Sequence, residues 1–347
     1  MATQFGRITA PNETWLAKQP AEPILEPELP IIDTHHHLWD RRDHRYLLDE
    51  LLADLRTGHN VVETVFVECH AMYRAHGPTE MRPVGEVEFV AGIAAMSDSG
   101  AYGSTRVAAG IVGFADLTLG DRVEPVLDAQ LRAGGGRFRG VRHSAAWDAS
   151  DIIGNSRTAT APHLFGRADF RAGLARLTAL GLSLDAWQFH PQLPDTIDLA
   201  RAFPTANIIV GHCGGPLGYG PYAGKKDDVF ASWKANIIEL ARCENVVMKL
   251  GGMLMRLAAY DYRALPAPPS SAQLADYWRP YIETCIERFG ATRCMFESNY
   301  PVEKMGIGYA ALWNAFKRLT AGASSAEKRA MYSGTARRAY RLPPFTD

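Results

Sequence analysis

The sequence predicts an α/β protein built as a (β/α)8 barrel, distorted and with long loops on its catalytic face, and three observations carry that prediction. Eight short apolar, β-branched runs recur along the chain. Stretches with helical spacing separate them, and polar residues fall at the ends of successive runs. Near-continuous apolar strands alternating with helices mean a parallel sheet covered on its outer face, and closure into a barrel is its simplest form. An open doubly wound sheet is the structural alternative.

The expected strands are 31–37, 64–70, 107–117, 140–143, 182–190, 207–212, 246–250 and 293–298. Between them, Val123, Val126, Leu127 and Leu131, then Phe170, Leu174 and Leu177, repeat at helical intervals. The clearest helix carries Leu274, Trp278, Tyr281, Ile282, Cys285, Ile286 and Phe289 on one face. Ser324 and Glu327 form a capping box for a final helix. Residues 1–29 are polar and carry Pro11, Pro20, Pro23 and Pro27, so an extended arm is expected there, followed by one barrel domain over 30–347. Gly134-Gly135-Gly136 lacks a following Lys-Ser/Thr and reads as a turn into strand four.

Composition narrows the function. The 347 residues are 47% hydrophobic and 22% charged, with a net charge of -1. A near-zero balance argues against a nucleic-acid or anionic-membrane partner, both of which call for a basic field. A small-molecule substrate is expected. The five cysteines are scattered with no CxxC pair, and no run of about eighteen apolar residues or basic-apolar leader pattern is present. A cytoplasmic protein is the expectation, and association with further copies of itself stays open.

Barrel enzymes place their chemistry at the C-terminal ends of the strands. Strand one ends in His35 and His37, strand two in Glu68, strand four in Arg142 and His143. Strand five ends in Trp187 and His190, strand six in His212, strand seven in Lys249, strand eight in Ser298-Asn299. Alternation puts His35 and His37 on one face, with Asp33 two residues deeper on it. Two imidazoles so placed suit either metal ligation or acid-base work. Arg142 and Lys249 suit a substrate carboxylate, or else salt bridges to acids such as Glu68 and Asp185. Long connections at about 71–106, 144–165, 216–231 and 251–273 would open on that face. Their aromatics, among them Tyr73, Tyr222 and Tyr260, suit a ring-containing substrate.

Four motifs then stand in order: Asp33-Thr34-His35-His36-His37-Leu38-Trp39-Asp40, Gly211-His212-Cys213-Gly214-Gly215-Pro216, Phe296-Glu297-Ser298-Asn299-Tyr300-Pro301 and Gly334-Thr335-Ala336-Arg337-Arg338-Ala339-Tyr340. Over about residues 31–341 the chain resembles the amidohydrolase-related barrel family, above all its lactonase-like branch, which opens sugar lactones and pyrone dicarboxylate lactones. The resemblance implies that His35, His37 and His190 hold any divalent metal. It further implies that His212 contacts the substrate or the attacking water, and that position 299 completes the site. The family has an aspartate there. Asn299 can neither take a proton from water nor offer a charged ligand.

Two routes follow from this departure. Three histidines can keep a metal and lower the pKa of its water, or the site can work without metal on a histidine base. The expected cofactor is therefore none, or one weakly held zinc or manganese ion. The expected activity is hydrolysis of a small carboxylic ester or lactone, with His35, His37, His190, His212 and Asn299 at the reacting centre. Glu68, Arg142, His143, Trp187 and Lys249 are expected around the substrate. Non-oxidative decarboxylation of an aromatic acid on the same fold, and a non-catalytic small-molecule binding role, are the alternatives.

Overall fold

The computed structural model describes residues 9–153, 161–254 and 262–344. Eight parallel strands form one sheet in simple sequential order: β1 (Ile31–His36), β2 (Val61–Val67), β3 (Arg106–Gly113), β4 (Phe138–Ser144), β5 (Ser183–Trp187), β6 (Asn207–Val210), β7 (Val246–Leu250) and β8 (Cys294–Phe296). The ring closes just past β8. There the His37 amide donates to the Tyr300 carbonyl (2.7 Å) and the Asn299 amide to that of His35 (2.8 Å).

Each strand is followed by a helix: α1 (Leu48–Leu55), α2 (Val84–Asp98), α3 (Glu124–Ala133), α4 (Ala168–Ala179), α5 (Leu193–Ala202), α6 (Lys226–Ala241), α7 (Ser271–Phe289) and α8 (Tyr309–Leu319). The fold is a (β/α)8 barrel. The expected helical stripe is the buried face of α7, whose start is fixed by a Ser270–Gln273 capping box. Ser324 and Glu327 also cap as expected, but the final helix breaks into Ser325–Arg329, a wide turn at Ala330–Gly334 and Thr335–Ala339.

The apolar contacts divide into two sets. Between strands and helices lies the large outer core, with Phe66, Val141, Leu184, Trp278 and Phe316 fully buried. Inside the barrel, Ile32, Val65, Val67, Val112, Ile209, Val247 and Met295 form a smaller layer, closed at the N-terminal end by Ala336 and Ala339 of the final helix and by Tyr340 and Leu342 just after it. This plug is why the interior is solid below the site.

Six of the eight strands end earlier than the sequence suggests, β7 ends where expected and β4 one residue later. β3 stops at Gly113 instead of 117, and β5 stops at Trp187, because Pro191 favours the short turn His190–Gln192. The connection expected at 71–106 contains α2, whose Val84, Val87, Val90 and Ala94 are buried. Residues 9–30 include one short helix (Glu13–Leu16) and are pinned to the barrel wall. Trp15 Nε1 donates to the Leu265 carbonyl (3.0 Å), and Lys317 Nζ to the Leu25 and Glu26 carbonyls (both 2.7 Å). Among the described residues, no helix is long and apolar enough to cross a membrane.

Candidate active site

The site begins with a slip in β1. Ile32 faces the barrel interior, so strict alternation would turn His36 inward as well. A register shift between Asp33 and His36 reverses the phase. His35 and His37 therefore face the barrel mouth, while His36 turns outward, with Nε2 2.9 Å from Thr64 Oγ1 and its ring edge-on to Phe66. Asp33 is turned away too, against the shared face expected for it. Its carboxylate accepts from the Ser298 amide (2.9 Å) and from Tyr309 Oη (3.0 Å) on α8. Burial pushes Asp33 up to about 6, its hydrogen bonds opposing that rise.

The mouth is organised around Glu297. Met295 lies in the inner layer, so Glu297 two residues on shares its face. This carboxylate is fully buried. Oε2 accepts from His35 Nδ1 (2.7 Å), and Oε1 from His212 Nδ1 (2.7 Å) and the His212 amide (2.8 Å). Burial alone would raise its pKa, but the His212 and His35 partners outweigh it and hold the group ionised, well below the usual carboxylate range. His37 is fixed in the same sense by donating Nδ1–H to the Val67 carbonyl (2.7 Å).

With Nδ1 carrying the proton, each of these three rings presents a lone pair on Nε2. The Nε2 atoms of His35 and His37 stand 3.2 Å apart. Burial drives both rings well below the ordinary histidine pKa, reinforced by Lys249 at His35 and by Arg142 at His37. A shared proton is thus disfavoured at the place where the two lone pairs meet. Two nitrogens bound to one tetrahedral zinc, each at about 2.0–2.1 Å, are about 3.3–3.4 Å apart. The pair fits such an ion, with Glu297 and Val67 as the outer acceptors that ligating imidazoles require. Donor atoms of His35, His212 and Glu297 also lie within 4.8 Å of one another.

Other expected residues fall around this centre. Arg142 faces the mouth from β4, with Nη1 3.4 Å from His35 Nε2 and Nε donating to Glu68 Oε1 (2.7 Å); its Nη2 also bonds the Glu68 carbonyl. Trp187 sets its ring edge against His212, centroids 4.7 Å apart. Lys249 lies deeper, 1% exposed, with Nζ 2.9 Å from Asp185 Oδ2, which also accepts from Tyr340 Oη (2.7 Å). Both salt bridges open to Arg142 and Lys249 are formed.

His143 follows Arg142 and so points to the opposite side of β4. It lies between Phe114 and Phe170, and its Nδ1 accepts from the Leu117 amide (3.4 Å). His190 packs edge-on to Tyr222, its Nδ1 accepting from the Leu217 amide (3.2 Å). Asn299 is buried, and its Nδ2 is directed to Glu303 Oε1 (3.3 Å). Tyr260 lies outside the described residues.

Backbone strain concentrates at the strand ends. His70, His212, Cys213 and Asn299 all take positive φ, 51–60°, which costs a non-glycine residue about 1–3 kcal/mol and is a frequent mark of functional sites. Gly252 (φ +65°) is needed for a different reason. A methyl group there would overlap the His212 imidazole.

Residues 32–342 match the family model described as Amidohydrolase. The chain is 29% identical over 337 residues to the uncharacterized protein y4mH of Sinorhizobium fredii, covering 91% of this chain and 99% of that one. It is 29% identical over 249 residues to an L-fucono-1,5-lactonase of Burkholderia multivorans, covering 70% of this chain and 74% of that one. A crystal structure of an amidohydrolase from Burkholderia multivorans with bound zinc superposes with a TM-score of 0.68 at 25% identity, covering 90% of this chain and 99% of that one. With the barrel, the inward histidine pair and a family match over nearly its whole length, this chain belongs to the amidohydrolase family and is a hydrolase.

Proposed function

We propose that this protein opens a small lactone or related carboxylic ester by attack of water at the carbonyl carbon. The observation that carries the reading is the bifurcated hold of Glu297 on His35 and His212. A carboxylate that receives Nδ1–H fixes the tautomer and stabilises the imidazolium formed when Nε2 takes a proton, the arrangement a histidine base needs. His212 is the base in this scheme. Its Nε2 removes the proton from the attacking water, and Glu297 steadies the resulting charge.

Arg142 supplies guanidinium N–H groups at the mouth for the oxygen that becomes negative, or for a carboxylate on the substrate. Zinc held by His35 and His37 would polarise the carbonyl when bound. Trp187 gives His212 an apolar wall that limits water around the base. Support for a lactone as substrate comes from the lactonase relative, and the step closes when the ring C–O bond breaks and the departing ring oxygen takes back the proton held by His212.

The test is a panel of sugar lactones, aryl esters and aromatic acids, assayed with and without chelator. Lactone opening above the spontaneous rate, lost in His212→Gln, is the expected result. Carbon dioxide release from an aromatic acid with no lactone opening would overturn it.

A further inference from the structure

Arg142 stands where a divalent cation would have to be tolerated. Its Nη1 is 3.4 Å from His35 Nε2, and that nitrogen is itself 3.2 Å from His37 Nε2. The lone pair that would bind an ion is therefore the one that faces the guanidinium. Glu68 keeps it there: Oε1 takes Nε of Arg142 at 2.7 Å, and the Glu68 carbonyl takes Nη2. Both Arg142 and Glu68 are largely buried, with side chains 14% and 5% exposed, so solvent screening between guanidinium and ion is weak.

We propose that Arg142 is a built-in competitor of metal at the His35/His37 pair, a fixed cation that holds the site's affinity for zinc down and leaves it easily emptied. Two effects act together. The guanidinium donates to His35 Nε2, so that hydrogen bond must be given up before the nitrogen can ligate, and its charge repels the incoming ion across a short, poorly screened distance. Glu297 and Glu68 offset part of this, but both oxygens of Glu297 already accept from His35 and His212, and Glu68 Oε1 is already paired with Arg142 itself. The consequence is linkage: whatever draws Arg142 off His35, such as a substrate carboxylate, strengthens metal binding at the same site, and metal binding strengthens capture of that carboxylate by the same factor. The inference rests on the reading of His35 and His37 as the pair that meets the metal.

The experiment is calorimetric titration of zinc alone into the chelator-treated protein, for wild type, Arg142→Gln, Arg142→Met and His35→Gln, with circular dichroism to confirm each fold. Zinc is expected to bind either Arg142 variant at least tenfold more tightly than wild type, and to bind His35→Gln at least tenfold more weakly. Affinity within twofold of wild type in a folded Arg142 variant would overturn the competition while leaving the histidine pair intact. Unchanged affinity in His35→Gln, or no zinc binding by any of the proteins, would overturn the pair itself and the competition with it. Cobalt alone, followed by its visible absorption, gives a second reading of the same order of affinities that does not depend on turnover.

Discussion

Glu297 holds His35 and His212 through one carboxylate, each Nδ1 2.7 Å from its own oxygen, although the two histidines come from strands on either side of β8 and β7 in the ring. Removing that charge should loosen both rings at once. Glu297→Gln keeps the shape, but its amide can accept at only one end, so one histidine loses its acceptor. Activity or metal affinity is expected to fall about 10–100-fold. Glu297→Gln with wild-type turnover and zinc affinity would remove Glu297 from the account.

Gly252 is a steric prediction. Gly252→Ala puts a methyl group into the His212 ring and forces φ +65° on a residue with a Cβ. The variant is expected to lose at least tenfold in kcat and about 1 kcal/mol or more in stability by urea denaturation. Full activity would mean that His212 is not held where the structure places it.

Below the site, Lys249, Asp185 and Tyr340 tie the inner strands to the C-terminal plug. Lys249→Met leaves the Asp185 carboxylate buried without its lysine, beside the hydroxyls of Tyr340 and Ser183. A loss of about 3 kcal/mol is expected, recovered in part by the Lys249→Met, Asp185→Leu double variant. Equal loss in single and double variants would contradict the pairing.

Acid sensitivity has an identifiable source in His59, 6% exposed, with Nε2 donating to the Ala310 carbonyl (3.0 Å) and Nδ1 accepting from Lys317 (2.9 Å). Burial lowers its pKa to about 4. Between about pH 6.5 and 4 the unfolded chain binds a proton there that the folded chain does not, so its contribution to stability is lost as pH falls through that window. His59→Gln should therefore lose less stability than wild type between pH 7.5 and pH 5, by about 1–2 kcal/mol. Denaturation midpoints at the two pH values measure it, and identical losses would refute it.

The barrel was legible because its signals are local. Apolar runs mark strands, helical spacing marks α7, and the capping box at Ser324 marks the start of the final helix. Polar residues at strand ends located the mouth. What alternation could not supply was each residue's side of the strand once regular pairing ends. The slip in β1 turned Asp33 away, the turn at Pro191 set His190 against Tyr222, and positive φ at Asn299 accompanied its contact with Glu303. Glu297 carries a signal of its own, since two residues past Met295 it shares the inner face, whereas the resemblance expects the acid at position 299. The acid at the centre of the mouth stands two residues earlier.

The most direct test of the central claim is the rate of lactone opening by wild type and His212→Gln, across sugar 1,5-lactones including L-fucono-1,5-lactone, on proteins matched for fold by circular dichroism. Hydrolysis well above the spontaneous rate is expected for at least one lactone, falling at least 100-fold in His212→Gln. Lactone opening that persists at the wild-type rate in folded His212→Gln would contradict it.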